Sequence, residues 1–401
     1  MKKLSTSAAG VERGGGGRAI LIMAVAAGLL VWSWGTWIDP IIDSGRELYV
    51  AWRVSLRDLL YRDIAYFNGP LSPYWNALWF KLVGPSVALL TVVNGAIAVG
   101  IFTLLYAILR RIRGGMAATL GCLALLVLVA IPPRSTRGAF TYLAPYSHEL
   151  THGLFLLLLM IFALSRAQDL GGRRWLFGAG LAAGACLLTK PEIGLAVGMI
   201  LAAWAFFLAV VTKSPVRAHL PPLIAGLAVP PAVAWLLFLP HLGVGESLAA
   251  LSTPFASAAN ADVRDLYFYR AVMGTDDLAS AIRNIGLGTM IYGGVIGIPF
   301  LALRLVPGDR ITKWPRLGIL LGVLTAVAVL RASLSWIHWW YFFVPLQVLT
   351  VLFLLGEVTG RLPLLSVLRG PEGRLPATLL AVLATGLLAK VFFNTSVVSY
   401  G

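Results

Sequence analysis

Two stretches carry residue types that can do chemistry together. In the first, Asp39, Asp43, Arg46, Glu47, Arg53, Arg57, Arg62 and Asp63 alternate with Trp37, Tyr49, Trp52 and Tyr61. A carboxylate held at a helix start beside a row of guanidinium groups suits a site that deprotonates a hydroxyl and holds a phosphate. In the second, Ser147-His148-Glu149-Leu150-Thr151-His152 sets two imidazoles four residues apart around a carboxylate. On one helix face, His148 and His152 can share a divalent metal with Glu149 as base. Without a metal, Glu149 is either a second active-site acid or a residue favoured by the helix dipole.

The first stretch needs a helix to order it. Leu48, Trp52, Leu56 and Leu59 repeat at helical spacing, and Arg46, Arg53 and Arg57 fall seven and four apart on another face. This predicts an amphipathic helix from about Ser44 lying on a membrane surface, with Asp43 at its N-terminus, where backbone N–H groups keep a carboxylate ionised. The following Asn68-Gly-Pro-Leu-Ser-Pro73 run is a turn by composition.

The elements behind both stretches are membrane spans. Of 401 residues, 59% are hydrophobic and 12% charged, outside the range of soluble globular domains. Apolar segments recur at about 19–34, 83–109, 116–132, 150–165, 175–189, 192–211, 220–239, 285–304, 317–331, 339–357 and 377–393. The fold expected is therefore an all-α polytopic bundle of about eleven helices in one domain, 19–393, after a cytoplasmic tail, 1–18, that leads into a signal anchor. The external loops are 35–80 and 240–284, the second with its own interfacial helix, and 394–401 is an external end. Cys122 and Cys186 fall inside apolar runs and read as packing residues.

Charge sets the orientation. With the N-terminus in the cytoplasm, the tail and alternate loops hold most of the Lys and Arg but few acids: Glu12, Asp169, Asp309, Glu357 and Glu372. This positive-inside bias accounts for most of the net charge of +15, so a nucleic-acid partner is not implied. The outward turns hold the remaining acids together with Lys190, Glu192, Arg331 and His338, beside aromatic residues of a membrane-interface belt.

Four features resemble the GT-C superfamily of membrane glycosyltransferases, the branch of protein O-mannosyltransferases and aminoarabinose transferases. Asp43-Ser-Gly-Arg-Glu-Leu-Tyr49 resembles the acidic motif of the family's first external loop, followed by Tyr61-Arg62-Asp63 and Gly69-Pro70. Glu149 is similar in placement to a second acidic position. Leu188-Thr189-Lys190-Pro191 looks like a Thr-Lys-Gly-Pro turn with Pro191-Glu192 departing from it, and Tyr341-Phe-Phe-Val-Pro345 resembles a Tyr-x-x-Pro span opening.

The resemblance implies a polyprenyl-phosphate sugar donor, a lipid, glycan or protein acceptor, and inverting transfer at the outer face of a bacterial cytoplasmic membrane. Asp43, or Asp39 in its place, would be the base. Lys190, Arg331, His338 and one or more of Arg46, Arg53 and Arg57 would hold the phosphate. No cofactor is required, although a divalent metal is compatible. Many members carry a soluble domain after the spans, whereas this chain stops at Gly401; a shortened member and a chain that continues further both fit. Two other classes compete. An intramembrane zinc protease would use His148, Glu149 and His152, and a lipid transporter would need charges along a path within the spans.

Overall fold

The computed structural model describes residues 15–37, 43–131, 141–267, 270, 275–283, 286, 287, 290, 294 and 373–388. Within them the chain is mostly helical and forms no strands. The helices are α1 (Gly15–Ser33), α2 (Asp43–Ser55), α3 (Leu71–Val83), α4 (Val87–Leu125), α5 (His148–Leu170), α6 (Arg173–Leu187), α7 (Pro191–Phe206), α8 (Val216–Ala259), α9 (Ala261–Arg264) and α10 (Arg374–Leu388). Single π-helical turns, Leu126–Ala130 and Phe207–Val211, extend α4 and α7.

Five of these helices, α1, α4, α5, α8 and α7 with its π turn, are long and apolar enough to cross a membrane. The chain is thus an all-α membrane protein. Of the eleven expected spans, 285–304, 317–331 and 339–357 lie outside the described residues, apart from Gly286, Leu287, Met290 and Gly294. The expected pair 83–109 and 116–132 falls on α4, which breaks at Arg113 and Gly114 (φ 82°), a left-handed position that glycine adopts without a side-chain clash. Within 240–284, the external loop expected to carry a helix, α8 runs on to Ala259 past a break at Gly243 (φ 77°).

The core centres on α5. Leu157, Met160, Ile161 and Leu164 are fully or nearly fully enclosed against Ile101 and Ile108 of α4, Ala179 and Ala183 of α6, Ile193 and Ile200 of α7, and Leu379 of α10. Lipid tails are as apolar as leucine, so close packing must hold such helices together. The α6–α8 seam shows how. A Cβ on Gly180 would strike the Leu223 carbonyl oxygen, and one on Gly226 would strike that of Phe177, so the two backbones touch where side chains would hold them apart.

Local sequence sets the ends that matter. Pro70 precedes α3, and Pro191 opens α7 at a position whose N–H has no helical partner. The Leu188-Thr189-Lys190 turn separates α6 from α7, and Glu192 sits in the first turn of α7, where the dipole favours a carboxylate. Cys122 and Cys186 are buried free thiols.

Candidate active site

The first loop, the start of α3, the start of α5 and the α6–α7 turn meet at one end of the bundle. Gly69 N–H donates to the Thr189 carbonyl (2.5 Å) and Leu71 N–H to that of Leu188 (3.0 Å). A Cβ on Gly69 would overlap the Leu188 carbonyl, so only glycine admits this approach. The clamp ties the first loop to the turn that carries Lys190.

Antiparallel polar rungs join α3 to α5. Asn76 lies 2.9 Å from His148 Nδ1, and Ser72 Oγ lies 2.9 Å from His152 Nδ1. Both helices contribute residues four apart, and the two imidazoles stack at 5.9 Å. All four side chains are buried. In an apolar bundle such pairing offsets part of the cost of burying polar groups, although Asn76 Oδ1 and His152 Nε2 have no partner among the described residues.

Around these rungs lies a network of charge. Glu149, fully enclosed, accepts hydrogen bonds from the Tyr66 hydroxyl and from Ser147 Oγ (2.7 Å). Lys190 Nζ reaches Ser147 Oγ at 3.5 Å and lies over the Tyr146 ring at 5.8 Å. Glu47, 5% exposed, sits 3.4 Å from His148 Nδ1 and receives both Arg46 Nη2 (2.7 Å) and Nε (3.2 Å) on Oε1. Arg46 also stacks on Phe67 at 5.0 Å.

The electrostatics follow from these contacts. Burial pushes the Glu47 carboxyl up, but the His148 contact and the Arg46 guanidinium outweigh it and hold the group below its ordinary value. Burial, with Glu149 and Glu47 nearby, raises the Tyr66 phenol well above its usual range, so Tyr66 remains a donor. Asp63, by contrast, is lowered to about 2 by its bond from Arg62 and the N–H of Leu59, and it lies in an exposed turn.

The structure brings some expected residues together and leaves others apart. Glu149, Lys190, His148, His152, Glu47 and Arg46 share the polar centre. Asp43 begins α2, and its side chain lies outside the described residues, as do Asp39, Arg331 and His338. The three arginines do not form one row, because α2 stops at Ser55 and Arg57 then adopts φ 80°, in the left-handed region. Arg57 is exposed, Arg53 pairs with Asp58 and the Tyr49 hydroxyl, and Arg62 pairs with Asp63 (2.8 Å). The apolar stripe is split likewise: Trp52 and Leu56 face outward, while Val50, Ala51 and Val54 pack inward.

Tyr66, Ser72, Asn76 and Asn94 belong to the site and were not singled out from sequence. The signal for two of them was present, since Ser72 and Asn76 repeat the four-residue spacing of His148 and His152 on a facing helix. His148 and His152 turn their Nδ1 atoms to α3, and Glu149 accepts from Tyr66 and Ser147. Among the described residues no three His, Cys, Asp or Glu side chains are grouped to hold a metal.

Comparison of the chain with protein-family models, curated proteins and solved structures gives no match.

Proposed function

We propose that this protein is a membrane glycosyltransferase that moves a hexose or pentose from a polyprenyl-phosphate donor to an acceptor hydroxyl. The observation that carries the reading is the convergence of Glu149 and Lys190, from two separate turns, on the arginine- and acid-rich first loop, with Ser147 bridging them. A transferase of this kind needs a cation for the lipid phosphate next to an acid able to take a proton. Lys190 and Arg46 supply the cations in this centre, with Arg331 and His338 as further phosphate contacts. Asp43, or Asp39, acts as base at the start of α2. The Ser44 side chain, one residue on, lines the same cavity as Glu47 and His148.

In this reading the acceptor oxygen attacks the anomeric carbon as its proton passes to the Asp43 carboxylate. The bond to the phosphate oxygen breaks with its electron pair, and the polyprenyl phosphate leaves as a stable anion held by Lys190, so no strong acid is required. Attack opposite the leaving group inverts the anomeric centre. The positive-inside bias supports an outward-facing position for this end of the bundle, in this reading at the surface of a bacterial cytoplasmic membrane. In proteoliposomes, Asp43→Asn is expected to lower transfer at least about 100-fold, the ordinary contribution of a general base. Lys190→Ala is expected to raise KM for the donor. Full activity in Asp43→Asn would remove Asp43 as base, and an unchanged donor KM in Lys190→Ala would remove Lys190 as phosphate ligand.

A further inference from the structure

The end of α5 away from the polar centre is strongly cationic. α5 has 23 residues, about 35 Å of helix against a hydrocarbon core of about 30 Å, so its last turn lies at the level of lipid head groups. Arg166 stands one turn before the helix ends at Leu170, and Arg173 and Arg174 begin α6 across the Gly171-Gly172 turn. The ion pair between Arg111 and Asp169 brings the break in α4 to the same place, with Arg110 and Arg113 exposed beside it. Asp169 is the only acid in the segments 110–115 and 166–174, and Arg111 holds it.

Arg166 and Arg174 share one aromatic seat. The Arg166 guanidinium lies 6.0 Å from the Phe162 ring centroid and 5.7 Å from that of Trp175, and the Arg174 guanidinium lies over the same indole at 5.6 Å. Phe162 and Trp175 meet edge to face at 6.2 Å, so the seat is itself packed. Stacking fixes a guanidinium while leaving its N–H edge for a planar acceptor, and two such cations on one ring repel each other until an anion joins them. Neither arginine makes a hydrogen bond or an ion pair among the described residues. Arg174 is exposed; the Arg166 Nε is enclosed, while its two Nη atoms reach the surface.

At head-group depth the matching anion is a phosphodiester, whose two free oxygens fit the paired N–H donors of a guanidinium. A zwitterionic head group brings its own cation, which offsets the phosphate, whereas an anionic one does not. We propose that Arg166 and Arg174, seated on Trp175, bind the phosphodiester of an anionic phospholipid, and that Arg110, Arg113 and Arg173 supply a field that concentrates such lipids around it. In the orientation that the charge bias supports, this is the cytoplasmic leaflet, where anionic lipids attract basic clusters. The site lies outside the transferase reading and is tested apart from it.

With the full chain in mild detergent, saturation binding of radiolabelled phosphatidylglycerol is compared with that of phosphatidylcholine bearing the same acyl chains. The wild type is expected to bind phosphatidylglycerol saturably and about tenfold more tightly. Arg166→Gln combined with Arg174→Gln should remove that preference, whereas Arg110→Gln combined with Arg113→Gln, which takes the same charge from the same end, should weaken it by no more than about threefold. Trp175→Leu keeps every charge but removes the seat, and should weaken the preference about threefold. Where these variants do not fold, Arg174→Gln alone, at an exposed position, should still lower it at least about threefold. Equal binding of the two lipids by wild type overturns the proposal, as does an equal loss in the two double variants, which marks diffuse charge. Inorganic phosphate that displaces phosphatidylglycerol beyond the effect of sodium chloride at equal ionic strength would make free phosphate the ligand and overturn the lipid assignment.

Discussion

The two ends of α5 carry their charges differently. At its start His148, Glu149 and His152 are enclosed, and each is met by a side chain from α3 or the first loop. In its last turns Asp169 is exposed and pairs with Arg111, and Arg166 lies over the Phe162 and Trp175 rings. Surface charges remain solvated and need little from their neighbours. Buried ones must be matched atom by atom, or the bundle loses stability. A chain keeps such a cluster at a cost in stability, and clusters of this kind are where binding and proton transfer are found.

Breaking the buried end should have the largest effect. Glu149→Ala leaves the Tyr66 and Ser147 hydroxyls without their acceptor, each costing about 1–3 kcal/mol. The melting temperature of the detergent-solubilised protein should fall by far more than for any change at the other end of α5. Gly69→Ala comes next, since the added methyl meets the Leu188 carbonyl; overpacking of this kind costs about 1–3 kcal/mol. It should also displace Lys190, so donor binding should weaken together with thermal stability.

A pH titration sharpens the comparison. Glu47 has a folded-state pKa below its ordinary value, with His148 and Arg46 prevailing over burial. It therefore binds protons less readily when folded, and its contribution is present above the unfolded value of about 4.3. That contribution is lost as pH falls through the lower folded value. The difference in melting temperature between wild type and Glu47→Gln should be level from about pH 7 to pH 5 and then shrink as pH falls. The smallest effect belongs to the far end. Arg111→Ala or Asp169→Asn should change stability by no more than about 1 kcal/mol, and added salt should erase the difference.

How far the sequence showed this varies from residue to residue. Hydrophobic runs located α1, α5 and α7 because lipid requires about twenty apolar residues per crossing. The Lys-Pro-Glu turn was visible because proline marks a helix start. Arg57 was misplaced on the α2 face because the sequence around Ser55 carries no glycine or proline to announce the end of that helix. The partners of Glu149 were hidden for another reason: a tyrosine 83 residues away in sequence can be paired with it only once the first loop is folded onto α5. Asn94 gave only the signal of one polar residue in an apolar span, which does not say what faces it.

The central claim is sugar transfer from a lipid phosphate at the buried polar end. Its most direct test is to incubate the purified protein in lipid with a panel of labelled polyprenyl-phosphate sugars and a mixed lipid and glycan acceptor pool, and to follow release of free polyprenyl phosphate. The account predicts that one donor is consumed, with equimolar polyprenyl phosphate released and label appearing on an acceptor, and that Asp43→Asn consumes it at least about 100-fold more slowly. No release from any member of a panel spanning hexoses and pentoses would contradict it.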